Sequence, residues 1–386
     1  MGIKNKIIKV EHVLCEGSFG SGKYYGYNNK KIISLVKIST KKNIYGIGES
    51  LVGIYSPELF EINTKYLSKF LVGKNAKEGL KEITNLQKNK FFINSGLIKS
   101  VLSAIEMSLI DILSKEEQLS ISNTIKKFYK LKAVQHDVNV YSSAGSINST
   151  LDDLKKDINR SKLLDINKIK IRLNINKNNQ KKIEYIKNNI NGFSIDLITN
   201  SFEKNNNEKK LMQFIDSLEN IKNLLWVEEP LALDELLKFK ILKNKFKSIK
   251  FSYGENFNTY LDFLNLLELY KFDYINPDIS HLTISELIKL GKYIENKNLK
   301  EKIILHCWGG SINMNVSLHI ASIFHKAIKM VEFPIAQFSL NEEYISDCEI
   351  KNSHVKINPD NIGNPSYLIE NYSGDKVKKK SAFKFE

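Results

Sequence analysis

Cysteine, arginine, proline and long apolar runs are all scarce in this chain, and each scarcity narrows what the chain can be. Its three cysteines (Cys15, Cys307 and Cys348) are spread over 386 residues. They form neither a disulfide framework nor a zinc ligand set, and they suit a reducing compartment. No stretch of about 18 apolar residues occurs, so no membrane-spanning helix is expected. The opening segment, Met1-Gly-Ile-Lys-Asn-Lys-Ile-Ile-Lys9, has no long apolar core and no small-residue cleavage site. A secretory leader is therefore not expected, and the expected compartment is the cytoplasm. Lys6 stands where a myristoylation motif wants Ser or Thr. No linker rich in proline, glycine or serine divides the chain.

Arginine is the most informative absence. Of 58 basic residues only Arg160 and Arg172 are arginine, although the net charge is +15. Nucleic-acid surfaces favour the planar, bidentate guanidinium. Here lysines are scattered among Asn and Ile along the whole chain, which reads as solvated surface charge, so no nucleic-acid partner is expected. Where lysine is the default cation, a retained arginine points to a need for its geometry. The 42% apolar and 26% charged content is ordinary for a globular protein. The length allows one large barrel plus a smaller unit.

The first 130 residues hold strand-like runs such as Lys31–Ser39, a glycine-rich turn at Tyr45-Gly-Ile-Gly-Glu-Ser50, and helical patterns. In the clearest of these, Ile98, Val101, Leu102, Ile105, Leu109 and Ile112 recur at three-to-four spacing and predict a helix over 96–114. From about residue 138 the pattern changes. Short β-branched runs, each ending in a polar residue, alternate with amphipathic stretches. Their last polar residues are Ser142, Arg172, Asn200, Glu228, Glu255, Asp278, His306 and Glu332, at intervals of 23 to 30 residues. A βαβ unit needs about 30 residues. Eight such strands predict an α/β fold of the TIM-barrel type, whose C-terminal strand ends converge on one mouth.

The residue types at that mouth suggest a chemistry. Asn200, Glu228 and Glu255 supply oxygen ligands of the kind Mg²⁺ requires. Neighbouring carboxylates would repel one another without a cation between them. Asp278 beside His306 makes an oriented general base, and Glu332 is a candidate acid or hydrogen-bond donor to substrate. Lys168, Lys170 and Arg172 alternate along one strand and so face one way. That line of cations calls for anions, which the acidic trio and an anionic substrate would supply. The glycine-rich pieces fit no dinucleotide or P-loop pattern.

Taken together, several motifs resemble the enolase superfamily, in its mandelate racemase/muconate lactonizing enzyme branch. They are Gly46-Ile-Gly-Glu-Ser50 and Ser103-Ala-Ile-Glu-Met-Ser-Leu-Ile-Asp-Ile-Leu-Ser114, then Lys170-Ile-Arg172, Ile198-Thr-Asn200 and Trp226-Val-Glu-Glu-Pro230. Tyr253-Gly-Glu-Asn256, Pro277-Asp278, His306-Cys-Trp-Gly-Gly310 and Val331-Glu332 complete the series. The resemblance implies an α+β capping domain over 1–132, a modified (β/α)₇β barrel over 133–345, and a segment over 346–386 that returns to the capping domain. It also implies Mg²⁺-assisted removal of the proton α to a substrate carboxylate. The family's first metal ligand is normally Asp, where this reading sets Asn200. The family's Lys-x-Lys becomes Lys170-Ile-Arg172, and Arg172 cannot serve as a base at neutral pH. The working base is then the His306–Asp278 dyad, with Lys170 and Arg172 anchoring charge. Substrate selection is expected from capping-domain loops around 15–28 and 49–56, Glu49 among them, and from Lys168. His–Asp bases in this branch are typical of acid-sugar dehydratases, so the leading expectation is a lyase acting on an aldonate or aldarate. A racemase, an epimerase, a lactone cycloisomerase, or a member without catalysis are the alternatives. The expected partners are a small sugar acid and further copies of the chain, with no membrane.

Overall fold

The computed structural model describes residues 5–19, 30–89, 96–132, 134–143, 149–197 and 208–371. Three strands rich in Ile and Val, β1 (Ile7–Ser18), β2 (Lys30–Thr40) and β3 (Tyr45–Ser50), pair in sequence order as an antiparallel sheet. The helix Gly96–Glu117 packs on that sheet and is buried along most of its length. Its span includes the 96–114 predicted from periodicity. The contact is close enough that glycine is required: a Cβ on Gly46 would lie 2.0 Å from the Ser108 carbonyl oxygen, and one on Gly48 1.9 Å from that of Ala104. The Gly-Ile-Gly motif is thus a docking surface for a helix backbone. Asp111 on that helix accepts a hydrogen bond from the Ile47 amide at 2.9 Å.

The second unit is an eight-stranded parallel barrel. Its strands are β4 (Asp137–Ser143), β5 (Lys168–Arg172), β6 (Gly192–Asp196), β7 (Leu224–Glu228), β8 (Phe251–Tyr253), β9 (Tyr274–Ile275), β10 (Ile303–Leu305) and β11 (Ile328–Pro334). Consecutive strands pair, and β11 closes on β4 through Val331↔Val140 to Pro334↔Ser143. Helix starts are fixed locally: Thr150 with Asp153, and Thr259 with Asp262, form reciprocal capping boxes. One strand departs from expectation. The run read as ending at Asn200 ends at Asp196, held in register between Arg172 of β5 and Glu228 of β7.

After β11 a short hairpin, β12 (Ile350–Lys351) and β13 (His354–Lys356), pairs antiparallel with the start of β4. The chain then reaches the first sheet. Asn364 donates to the Ile47 carbonyl at 2.8 Å, and Leu368 and Ile369 pack with Cys15, Ile33, Leu35 and Ile47. Among the described residues no helix is long and apolar enough to cross a membrane.

Candidate active site

Register decides which side chains meet. Residues paired across parallel strands point to the same face, and Arg172↔Asp196↔Glu228↔Ser252 is one such row. One oxygen each from Asp196, Glu228 and Glu255 lies within 4.8 Å of the other two, and all three residues are buried. The sequence reading set Asn200 in this group; residue 200 lies outside the described residues, and the side chain that stands with the two glutamates is Asp196. Even spacing between strand ends had set the end of this strand four residues later, because Leu197-Ile-Thr continues the apolar run past Asp196.

The floor beneath the carboxylates is aromatic, with Tyr141 and Trp226 edge-to-face at 5.2 Å. Each ring bonds a carboxylate: Trp226 Nε1 donates to Glu228 at 3.0 Å and the Tyr141 hydroxyl to Glu332 at 3.3 Å. Buried Lys170 donates to Glu228 at 3.0 Å and to Glu332 at 2.9 Å. Burial alone would lower its pKa, but Glu228, Glu332 and Asp196 outweigh it and raise it. Lys170 thus stands paired between two carboxylates. Arg172 Nε lies 2.8 Å from Asp196. Lys168 does not join them. It begins β5 at the opposite end of the barrel, where it donates to Asn139 at 2.9 Å. On a strand, the alternation that aligns three side chains also spaces them along the barrel axis.

His306 and Asp278 form a dyad, with Nδ1 2.7 Å from Asp278 Oδ2. Asp278 also accepts from the Ser280 amide at 2.7 Å and from Asn313 Nδ2 at 3.1 Å. Although burial opposes ionisation, the His306 imidazole, the charge of His281 and the Ser280 hydroxyl hold its carboxyl well below the usual range. His306 Nε2 is buried without a hydrogen bond and lies 3.4 Å from Glu255 Oε2 and 3.6 Å from Glu332 Oε2. Burial lowers the His306 pKa, but Glu255 and Glu332 override it and lift it to about 9. Glu332 had been expected as an acid or donor. Burial would raise its pKa, yet Lys170, His306 and Arg172 hold it below the usual carboxylate range. Its carboxylate accepts hydrogen bonds from Lys170 and from the Tyr141 hydroxyl.

Two neighbours were not anticipated from the sequence. Glu229 has a left-handed backbone (φ +49°), and its carboxylate accepts from the Gly254 amide at 2.8 Å, fixing the turn that presents Glu255. Such strain at a site needs surrounding structure to hold it. Lys31 reaches in from β2, and its Nζ donates to the Trp308 carbonyl at 2.5 Å. Glu49, expected to meet substrate, instead caps the helix Ser311–Ile323. It is fully buried and accepts from the Gly310 amide at 2.5 Å and the Asn313 amide at 3.1 Å. Both oxygens are committed, because the orphan amides of that helix start need an acceptor.

A hard divalent cation fits the triad. Three buried carboxylates converge, burial with Asp196 and Glu228 lifts Glu255 to about 7, and Glu255 Oε2 has no hydrogen-bond partner. Carboxylate oxygens are the donors such an ion takes.

Comparison with known proteins agrees with this architecture. Residues 25–125 match the family described as mandelate racemase / muconate lactonizing enzyme, N-terminal domain, and residues 166–364 match the enolase C-terminal domain-like family. No curated protein matches the chain. Among solved structures, the chain resembles 3,6-anhydro-D-galactonate cycloisomerase from Zobellia galactanivorans at 19% identity and TM-score 0.75, over 95% of this chain and 99% of that one. A candidate galactarate dehydratase from Agrobacterium radiobacter, bound to sodium and L-malate, matches at 16% identity and TM-score 0.75, over 97% of each chain. An enolase from Sargasso Sea environmental sequence matches at 20% and 0.75, over 97% of this chain and 98% of that one. At these identities the structures speak for the fold alone. By its two matching domains and its capped barrel, the chain belongs to the mandelate racemase/muconate lactonizing enzyme branch of the enolase superfamily.

Proposed function

We propose that this protein removes the proton α to the carboxylate of an acid sugar and expels the β-hydroxyl as water. Asp196, Glu228 and Glu255 would hold Mg²⁺, and when bound the ion supplies positive charge against the negative charge that develops on the substrate. Asp278 keeps the proton on Nδ1 of His306 and leaves Nε2 as the acceptor. Once the triad's charge is neutralised, the pull that lifts His306 to about 9 weakens, and the imidazole moves toward the range where it can take a proton. Lys170 and Arg172 hold fixed positive charge beside the substrate carboxylate. In the step itself the α C–H bond breaks and its proton passes to Nε2. The β C–O bond then breaks, and the hydroxyl leaves as water with a proton from His306. The resulting enol tautomerises to a 2-keto-3-deoxy acid.

One observation supports this reading: Nε2 of His306 makes no hydrogen bond and faces the same carboxylates that would hold the ion, 3.4 Å from Glu255. The cycloisomerase and dehydratase among similar structures support a carboxylate sugar as the substrate class. The test is incubation with a panel of acid sugars in D₂O with Mg²⁺. The reading expects a 2-keto-3-deoxy acid, lost in His306→Asn. Deuterium at Cα without loss of water would make the enzyme an epimerase. Silence across the panel would overturn the reaction.

A further inference from the structure

Among the described residues three cations stand at or near the mouth, and two are already matched by carboxylates. Lys170 is bound to Glu228 and Glu332, and Arg172 to Asp196. Lys31 differs. It is 6% exposed, and among the described residues no ion pair holds it, Glu49 acting on it only through its charge. Among the described residues, one of its three N–H donors reaches an acceptor, the Trp308 carbonyl. Among the described residues three ring faces stand near it: Nζ lies 4.3 Å from the Trp308 centroid, 5.2 Å from that of Phe338 and 5.7 Å from that of Phe19. Rings attract a cation but do not replace a carboxylate for a desolvated ammonium.

Its location ties it to the reacting end of the site. Trp308 follows His306 by two residues, and its amide lies 3.4 Å from Asp278 Oδ2. Arg172 and Asp278 are near enough that their charges act on Lys31. Burial has pushed the Lys31 ammonium down to about 8, and Arg172 adds to that, while Glu49 and Asp278 oppose it. An arriving anion would relieve both burdens.

Building on the reaction proposed above, we propose that Lys31 selects the substrate by binding the second, distal carboxylate of a diacid sugar, so that the enzyme takes aldarates in preference to aldonates. The first carboxylate goes to the barrel's charges, and the distal one meets the cation contributed by the capping sheet.

The test is calorimetric binding, with Mg²⁺ present, of a six-carbon aldarate and the matching aldonate to wild type, Lys31→Met and Lys31→Gln. Wild type should favour the aldarate by about 10- to 100-fold, the range of one charge-assisted hydrogen bond. Both variants should lose that preference, aldonate affinity falling far less. Equal affinity of wild type for the two acids overturns the assignment without recourse to a variant. So does a preference that survives both substitutions, or an equal loss for both acids, which marks Lys31 as structural. Deuterium exchange separates this from the reaction. Loss of selectivity without exchange in D₂O refutes the reaction and keeps Lys31, whereas exchange with unaltered selectivity refutes Lys31 alone.

Discussion

His306 Nδ1 lies 2.7 Å from Asp278 Oδ2, and the two strand ends are also joined in the backbone, where the His306 amide donates to the Pro277 carbonyl at 3.1 Å. The dyad is thus held by a backbone bridge just beyond the barrel's strand ends. Asp278→Asn keeps the shape but removes the anion that fixes the tautomer. Turnover of any substrate found should fall by about 10²- to 10⁴-fold, measured as kcat, with the far-ultraviolet spectrum unchanged. Activity within a few-fold of wild type would remove Asp278 from the mechanism.

The metal-free protein should lose stability as pH rises from about 5 to about 9. Glu255 titrates in the fold near 7, above its ordinary 4.5, so its contribution is present below 4.5 and lost through about 7. His306 titrates near 9, above its ordinary 6.5, so its contribution is present below 6.5 and lost through about 9. Thermal melts after chelation check this. His306→Asn should flatten the upper part of the loss, and Glu255→Gln should flatten both parts, because Glu255 is the leading charge that raises His306.

Asp196→Asn should weaken Mg²⁺ or Mn²⁺ binding by about tenfold or more, or about 1.4 kcal/mol, because a charged ligand becomes neutral. Asn200→Ala should leave binding unchanged. Titration calorimetry distinguishes them, and the reverse result would restore residue 200 to the ligand set.

Lys170→Met strands Glu228 and Glu332 in the interior, and breaking a buried pair from one side costs about 3–5 kcal/mol. Urea denaturation should show that loss, with part of it recovered in Lys170→Met/Glu332→Gln. A change below about 1 kcal/mol would mean that the carboxylates are satisfied otherwise.

The barrel was legible because each βα unit repeats a β-branched run with a polar end, and local chain chemistry sets that period. Glu228, Glu255, Asp278 and His306 lie at or just beyond their strand ends, so spacing found them. Asp196 was missed because no glycine or proline stops the run before Asn200. The clue available was that Asp196 is the only carboxylate in that run. Lys168 was misplaced because alternation gives a face but no depth. Glu49 and Lys31 were illegible for another reason. Their partners, Gly310 and Trp308, lie 261 and 277 residues away, and no local pattern encodes a contact between a capping sheet and a barrel loop.

The central claim is that carboxylates from three strands grip one cation beside the His306 imidazole. Anomalous diffraction from a Mn²⁺-soaked crystal tests it most directly. The account predicts a single strong peak coordinated by Asp196, Glu228 and Glu255. A fully occupied ion elsewhere, or none at millimolar Mn²⁺, would contradict it.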